Sequence, residues 1–375
     1  MGAPSHVDAG AVGMPGNVTA GAVRIVPLTG IGEVVEGADL AAVLLDAMER
    51  TGVHLEEGDC VVVSSKVVSK ALGLTWRGSK EDAVAAATVR VVAERHTDAG
   101  TTRVVESVAG PVMAAAGVDA SNTGPSDGLL VLPEDPDAEA SRLRSAILDH
   151  LGLPGSAALG VVVSDTAGRP WRGGLVDLAL GSAGIHALED LRGAQDHDGR
   201  LLSVTVRALA DEVAAAADLV KGKADGIPAA LVRGLDASWF AAGAAGSRTV
   251  VRTGPGDWFA LGHVEAVRSA LGVAPGTPEA YDVGMPSVRH DEVLGARVGR
   301  VVALALLGVP EGSADVGVDE ASGTAEVALG APDGYELGRL VTRCEVAAHS
   351  EGLRARVTTR SDDTVTLRLT SATSG

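Results

Sequence analysis

The stretch Gly160–Pro170, GVVVSDTAGRP, decides how this chain is read. With the preceding AAL it is apolar enough for burial on both faces, as in strands covered by helices on either side. It ends in Ser164, Asp165 and Thr166 and then turns at Gly168. Ligands of open α/β sheets gather outside the carboxyl ends of strands. A carboxylate followed by a hydroxyl offers hard oxygens, which suits Mg2+ or Mn2+. The same residues also suit an Asp that only caps a turn. The stretch alone leaves both readings open.

Outward from this strand, RIVPL (24–28) predicts a short strand and DLAAVLLDAMER (39–50) a helix with Asp39 as N-cap. GDCVVVSSK predicts a strand, residues 80–97 a helix, TTRVVESV a strand and residues 137–151 a helix that ends before GLPG. RALADEVAAAADLVK (207–221) predicts a helix with Leu209, Val213, Ala216, Ala217 and Val220 on one face, stopping at Gly222. AALVRGL (229–235) predicts another strand. Strands and helices interleave without regular βαβ spacing, so the fold class is α+β, a mixed α/β domain. VVVSSK (61–66) and VVVSDT (161–166) look alike, but six residues do not make a repeat.

Residues 1–22 read as a disordered leader, 23–264 as the main domain, and the loop-rich 265–290 as a linker. Residues 291–375 read as a small α+β domain, with helices near 291–308 and 335–350, an acidic loop between them and a final strand, TVTLRLT.

Composition narrows the function classes. The 375 residues are 46% hydrophobic but only 2% aromatic, so the core is aliphatic. A formal net charge of −18 argues against nucleic acid and against an anionic membrane surface as partners. No apolar run is long enough to span a bilayer. Cys60 and Cys344 are far apart and imply no disulfide framework, and a reducing cytoplasm is the simplest compartment. The histidines form no HxxxH and the cysteines no CxxC, so zinc is unsupported.

Lysine is the informative residue. Of 31 basic residues only five are lysines, and four of these sit in SSKVVSK and KGKADG: Lys66, Lys70, Lys221 and Lys223. Lysine is a compact point charge and a common phosphate binder. Chance clustering on a solvated face, or lysines that only satisfy the negative end of a helix, remain open alternatives. No Walker P-loop is present, so a nucleotide would need another cradle. GVDASNTG (117–124) places Asp119, Ser121 and Asn122 between glycines, either as a second metal and nucleotide loop or as an Asx-rich turn. TAGRPWRGGLVDLALG (166–181) reads as a Gly-rich loop in which Arg169 and Arg172 offer a second anion contact, or in which Trp171 is only a packing anchor.

In this order, GIGEVVEGADL, GDCVVVSSKVVSKALG, AAGVDASNTG, LLVLPEDPDAEASRLR, VVVSDTAGRPWRGGLVDLALG, GIHALEDLRGAQDHDGRLL and VRALADEVAAAADLVKGKADGIPAALVRG resemble the coenzyme F-420-0:L-glutamate ligase (F-420 gamma-glutamyl ligase) family over residues 24–262. The resemblance implies a homodimeric, GTP-dependent ligase. It would add L-glutamate to F-420-0, and then further gamma-linked glutamates, through an acyl phosphate. It implies divalent Mg2+ or Mn2+ on Asp119, Asp165 and Thr166, and K+ as a further cation. It implies GTP contacts at Ile31, Gly32, Glu33, Val34, Ser65, Lys70 and Asn122, and along Lys221, Gly222, Lys223, Ala224 and Asp225. Asp165, Asp119 and Lys70 would carry the chemistry. The family's Leu-Pro-Glu is replaced here by Ile31-Gly32-Glu33, and the Gln of its WRxGQ motif by Leu175. Residues 335–355 have a faint nitroreductase-like look without an RRSxR cluster, so no flavin is expected. A related ligase for another carboxylate, or a catalytically silent GTP-binding protein, are the competing readings.

Overall fold

A computed structural model describes residues 22–98, 100–120, 128–222, 225–288 and 291–372. The central sheet has five strands in the order Arg24–Pro27, Ala229–Arg233, Asp59–Ser64, Leu159–Arg169, Arg172–Ala183. The two look-alike segments lie side by side in it. Val61 pairs with Val161, Val62 with Val162, Val63 with Val163 and Ser64 with Ser164, in parallel register. Every other pairing in this sheet is antiparallel.

Side chains alternate across a strand, so consecutive valines go to opposite faces. Val61, Val63, Val161 and Val163 meet Leu44, Ala47 and Ile147 of the helices Leu40–Thr51 and Pro136–Leu151. Cys60, Val62 and Val162 meet Val213, Ala214 and Ala217 of the helix Leu209–Lys221 on the other face. Helices on both faces explain why these strands are continuous apolar runs. Asp39 caps its helix through the Ala42 amide, and Asp135 caps the next through the Ala138 amide. Gly181 is required where that helix begins: a Cβ there would lie 2.1 Å from the Pro136 carbonyl oxygen. Burial raises the thiol pKa at both cysteines, to about 12 for Cys344.

Several expectations are corrected. The predicted 80–97 helix ends early: Lys80–Ala86 is helical, and Thr88–Thr97 is a strand paired with Gly100–Ser107. Its β-branched residues Thr88, Val89, Val91 and Val92 favour that pairing. The strand after Gly160 does not turn at Gly168. It runs to Arg169, and the supposed Gly-rich loop is its antiparallel partner, Arg172–Ala183. The parallel ladder does end at Ser164.

The stretch read as a linker contains the helices His263–Ala270 and Pro278–Val283. Leu271, Val273, Ala280 and Val283 pack into a second core with Leu304, Val327, Leu340 and Leu367. That core lies between the helices Leu294–Leu306 and Gly334–Ser350 and an antiparallel sheet ordered Ser313–Asp319, Thr324–Gly330, Thr364–Ser371, Leu353–Arg360. The expected acidic loop is therefore largely the first of these strands. Glu351 is buried between Arg268 and Arg300, at 2.7 and 2.6 Å. The predicted leader, apart from Ala22, lies outside the described residues.

Candidate functional site

A cavity of about 610 Å3 opens where the two parallel strands end. Four pieces of chain wall it. Ser64, Lys66 and Lys70 come from the end of the Asp59–Ser64 strand and the helix Ser65–Ala71 that follows directly. Asp165, Thr166 and Asp177 come from the hairpin. Ile31, Gly32, Glu33 and Val34 come from the loop before the first helix. Asp218, Lys221 and Gly222 close the fourth side, with Gly226, Ile227 and Pro228 of the chain beyond.

The predicted strand GDCVVVSSK stops at Ser64, the chain is helical from Ser65, and i, i+4 spacing sets Lys66 and Lys70 on one face. Lys70 Nζ donates to Glu33 Oε1 at 2.6 Å, tying this helix to the 31–34 loop. Lys66 Nζ lies 2.5 Å from Asp119 Oδ2, so Asp119 reaches the cavity wall through a wall lysine.

The base of the site is a buried polar cluster that the sequence did not reveal. Lys221 is only 4% exposed. Its Nζ donates to Asp177 Oδ2 at 2.5 Å and to Ser164 Oγ at 2.7 Å. Ser164 Oγ and Thr166 Oγ1 donate to the two oxygens of Asp177, at 2.8 and 2.7 Å. Burial works to raise the Asp177 pKa. The Lys221 charge, with the bonds from Lys221, Thr166 and Ser164, outweighs it and holds the carboxyl below its ordinary value. Lys221 therefore neither caps its helix end nor sits on a solvated face. It lines the cavity as one half of an ion pair.

The cavity thus gathers Ile31, Gly32, Glu33, Val34, Lys70, Asp165, Thr166, Lys221 and Gly222 of the sequence-predicted site residues. Ser65 is buried behind the wall, between Ser64 and Lys66, and its hydroxyl has no hydrogen-bond partner among the described residues. Asp225 is exposed and is not part of the lining. Asn122, Lys223 and Ala224 lie outside the described residues. Asp177 and Asp218 are the carboxylates that sequence reasoning missed. Asp218 stands one helical turn before Lys221, and Asp177 interrupts an apolar strand between Val176 and Leu178. A carboxylate in a buried run was the available signal.

A family model described as F420-0:Gamma-glutamyl ligase matches residues 30–234. The Coenzyme F420:L-glutamate ligase of Haloarcula marismortui is 38% identical over 236 residues, covering 57% of this chain and 88% of that protein. Its namesake from Methanopyrus kandleri is 38% identical over 231 residues, covering 57% of this chain and 87% of that protein. The one from Halorubrum lacusprofundi is 37% identical over 233 residues, covering 56% of this chain and 87% of that protein.

Proposed function

Since the chain belongs to the F420-0:gamma-glutamyl ligase family, we propose that it joins L-glutamate to coenzyme F-420-0 at the expense of GTP, through an acyl phosphate. The observation that carries this reading is the convergence of three lysines, a glycine-containing loop and the Asp165-Thr166 pair on one cavity at the strand ends.

A carboxylate is a poor electrophile. Transfer of the terminal phosphoryl group of GTP to the acceptor carboxylate makes a mixed anhydride and releases GDP. The glutamate amine then attacks the acyl carbon, the amide forms and phosphate leaves. Repetition on the new gamma-carboxyl extends the tail. Two anions must meet in the first step, so the site must supply positive charge without slack. Lys66 and Lys70 hold the nucleotide phosphates. The backbone of Ile31, Gly32, Glu33 and Val34 borders them, and Glu33 positions Lys70. Lys221, fixed by Asp177, places an ion pair at the base of the cavity.

Among the described residues no group of three or more His, Cys, Asp or Glu is arranged to hold a metal. Asp119, Asp165 and Thr166 supply only hard oxygens. Mg2+ is usually held by one or two carboxylates with nucleotide phosphates and water, and this donor set fits such an ion, or Mn2+. When bound, the ion neutralises charge between the two reacting anions. The same reading carries with it a cytoplasmic homodimer and K+ as an accompanying cation. In support of a protein that does not span a bilayer as helices, no helix among the described residues is long and apolar enough to cross a membrane.

The test is direct. The purified chain is incubated with GTP, Mn2+, L-glutamate and F-420-0, GDP is measured, and the product is weighed by mass spectrometry. A glutamylated product formed with stoichiometric GDP is expected. Absence of both would sink the reading.

A further inference from the structure

The hairpin that supplies Asp165, Thr166 and Asp177 continues past the cavity. Beyond the Thr166–Asp177 rung come Ala167–Val176, Gly168–Leu175 and Arg169–Arg172, and then the turn at Pro170 and Trp171. Trp171 is 80% exposed. Its φ is 60°, the left-handed conformation that the second position of this tight turn takes and that bulky residues rarely adopt. Its ring meets Phe259 edge to face, with centroids 4.8 Å apart. Phe259 is 56% exposed and the neighbouring Trp258 84%. The chain has only four Trp, two Tyr and two Phe, so three of its few aromatics stand in solvent at one place. Their loop is anchored: Arg90 bonds Asp257 at 3.3 Å and Glu106 at 2.6 Å.

Between the cavity and these rings stand Arg169 and Arg172. They lie opposite each other across the hairpin, and neither has an ion-pair partner among the described residues. Like charges opposed across strands repel, so this rung gains stability when an anion joins it.

We propose that the hairpin end is the binding arm for the acceptor: Arg169 and Arg172 take its phosphate, and Trp171, with Phe259 and Trp258, stacks its planar ring. This rests on the reading of the chain as a ligase for F-420-0. That acceptor carries a deazaflavin ring, a flexible arm containing a phosphate, and a lactyl carboxylate. Carboxylate, phosphate and ring then follow the order Asp165-Thr166, Arg169-Arg172, Trp171 along one strand. Five residue steps, the last two through the turn, separate Thr166 from Trp171, a reach of less than about 17 Å at roughly 3.3–3.4 Å per residue.

The test uses the full chain in two measurements: equilibrium dialysis of F-420-0, and steady-state ligation. Trp171→Ala should raise both the Kd and the KM for F-420-0 roughly tenfold, as loss of a stacking platform does. Trp171→Phe should recover most of this. The double variant Arg169→Gln/Arg172→Gln should weaken F-420-0 binding and flatten its salt dependence, while KM for GTP and for glutamate stays put. If the wild-type chain glutamylates F-420-0 and neither variant moves its Kd or KM, the binding arm is wrong and the ligase reading stands. If the wild-type chain binds F-420-0, loses it in Trp171→Ala, yet forms no product, the ligase reading fails and the arm stands. If the wild-type chain does not bind F-420-0, the arm is overturned. A Trp171→Ala effect confined to the mass seen by light scattering assigns the patch to a second copy and overturns the proposal.

Discussion

Lys221 and Asp177 face each other at 2.5 Å in the base of the cavity, both almost fully buried. Ser164 bonds both of them. In such pairs the cost of desolvation nearly offsets the attraction, but removing one member strands the other. Asp177→Ala or Lys221→Met alone should therefore destabilise the fold by about 3–5 kcal/mol, and the double variant by clearly less than the sum. Urea unfolding of the three variants checks this. Additive losses would show that the two groups act separately.

The same pair fixes a pH dependence. The folded Asp177 carboxyl has a pKa below its ordinary 3.8. The unfolded chain thus binds the proton first as acid is added, so the unfolded state gains and stability falls. The contribution is fully present above about pH 4 and is lost as pH falls through the lower native value. In Asp177→Asn this part of the acid limb should vanish, leaving a flatter curve below about pH 4. Thermal melts from pH 2.5 to 6 read the difference. An unchanged acid limb would mean that other carboxyls set it.

Asp165 lines the cavity at the end of the parallel ladder, where the ligase reading puts a hard-cation ligand. Asp165→Asn keeps the shape and removes the charge. Turnover should fall by about 100-fold or more, the scale of losing an ion's charge stabilisation, while the melting temperature stays near wild type. Raising Mn2+ should restore part of the rate. GDP release and a melt measured on the same sample separate lost chemistry from lost fold, and undiminished turnover would remove Asp165 from the site.

How much of this was legible in the sequence follows from where the partners lie. GVVVSD and CVVVSS announced themselves because a strand covered on both faces needs no alternation, and their polar ends marked the cavity. Asp177 stayed hidden because its partners lie 11, 13 and 44 residues away, and only the hairpin brings them together. The strand Thr88–Thr97 was masked by the Ala-rich helix before it, whose period seemed to continue. Its β-branched residues were the better guide, because the pairing with Gly100–Ser107 is local. The stretch 265–290 looked like a linker for its Gly and Pro, yet Leu271, Val273, Ala280 and Val283 are buried. Loop composition reports turns, and burial depends on what packs above them.

The second core offers a test independent of the cavity. Glu351 is buried and accepts from Arg268 at 2.7 Å and from Arg300 at 2.6 Å, while Arg300 also reaches Glu292 at 2.6 Å. Burial lowers the Arg300 pKa, but the bonds and charges of Glu292 and Glu351 outweigh it and the net shift is upward, so this guanidinium keeps its charge. Among the described residues Glu351→Ala leaves Arg268 with the Gly284 carbonyl alone, and the cost should be about 3–5 kcal/mol. Glu351→Gln keeps the shape and part of the bonding, so it should cost less. Neither residue touches the cavity lining, so KM for GTP should not move in protein that remains folded. A loss of GTP affinity in folded Glu351→Ala would show that the second core and the cavity are energetically coupled.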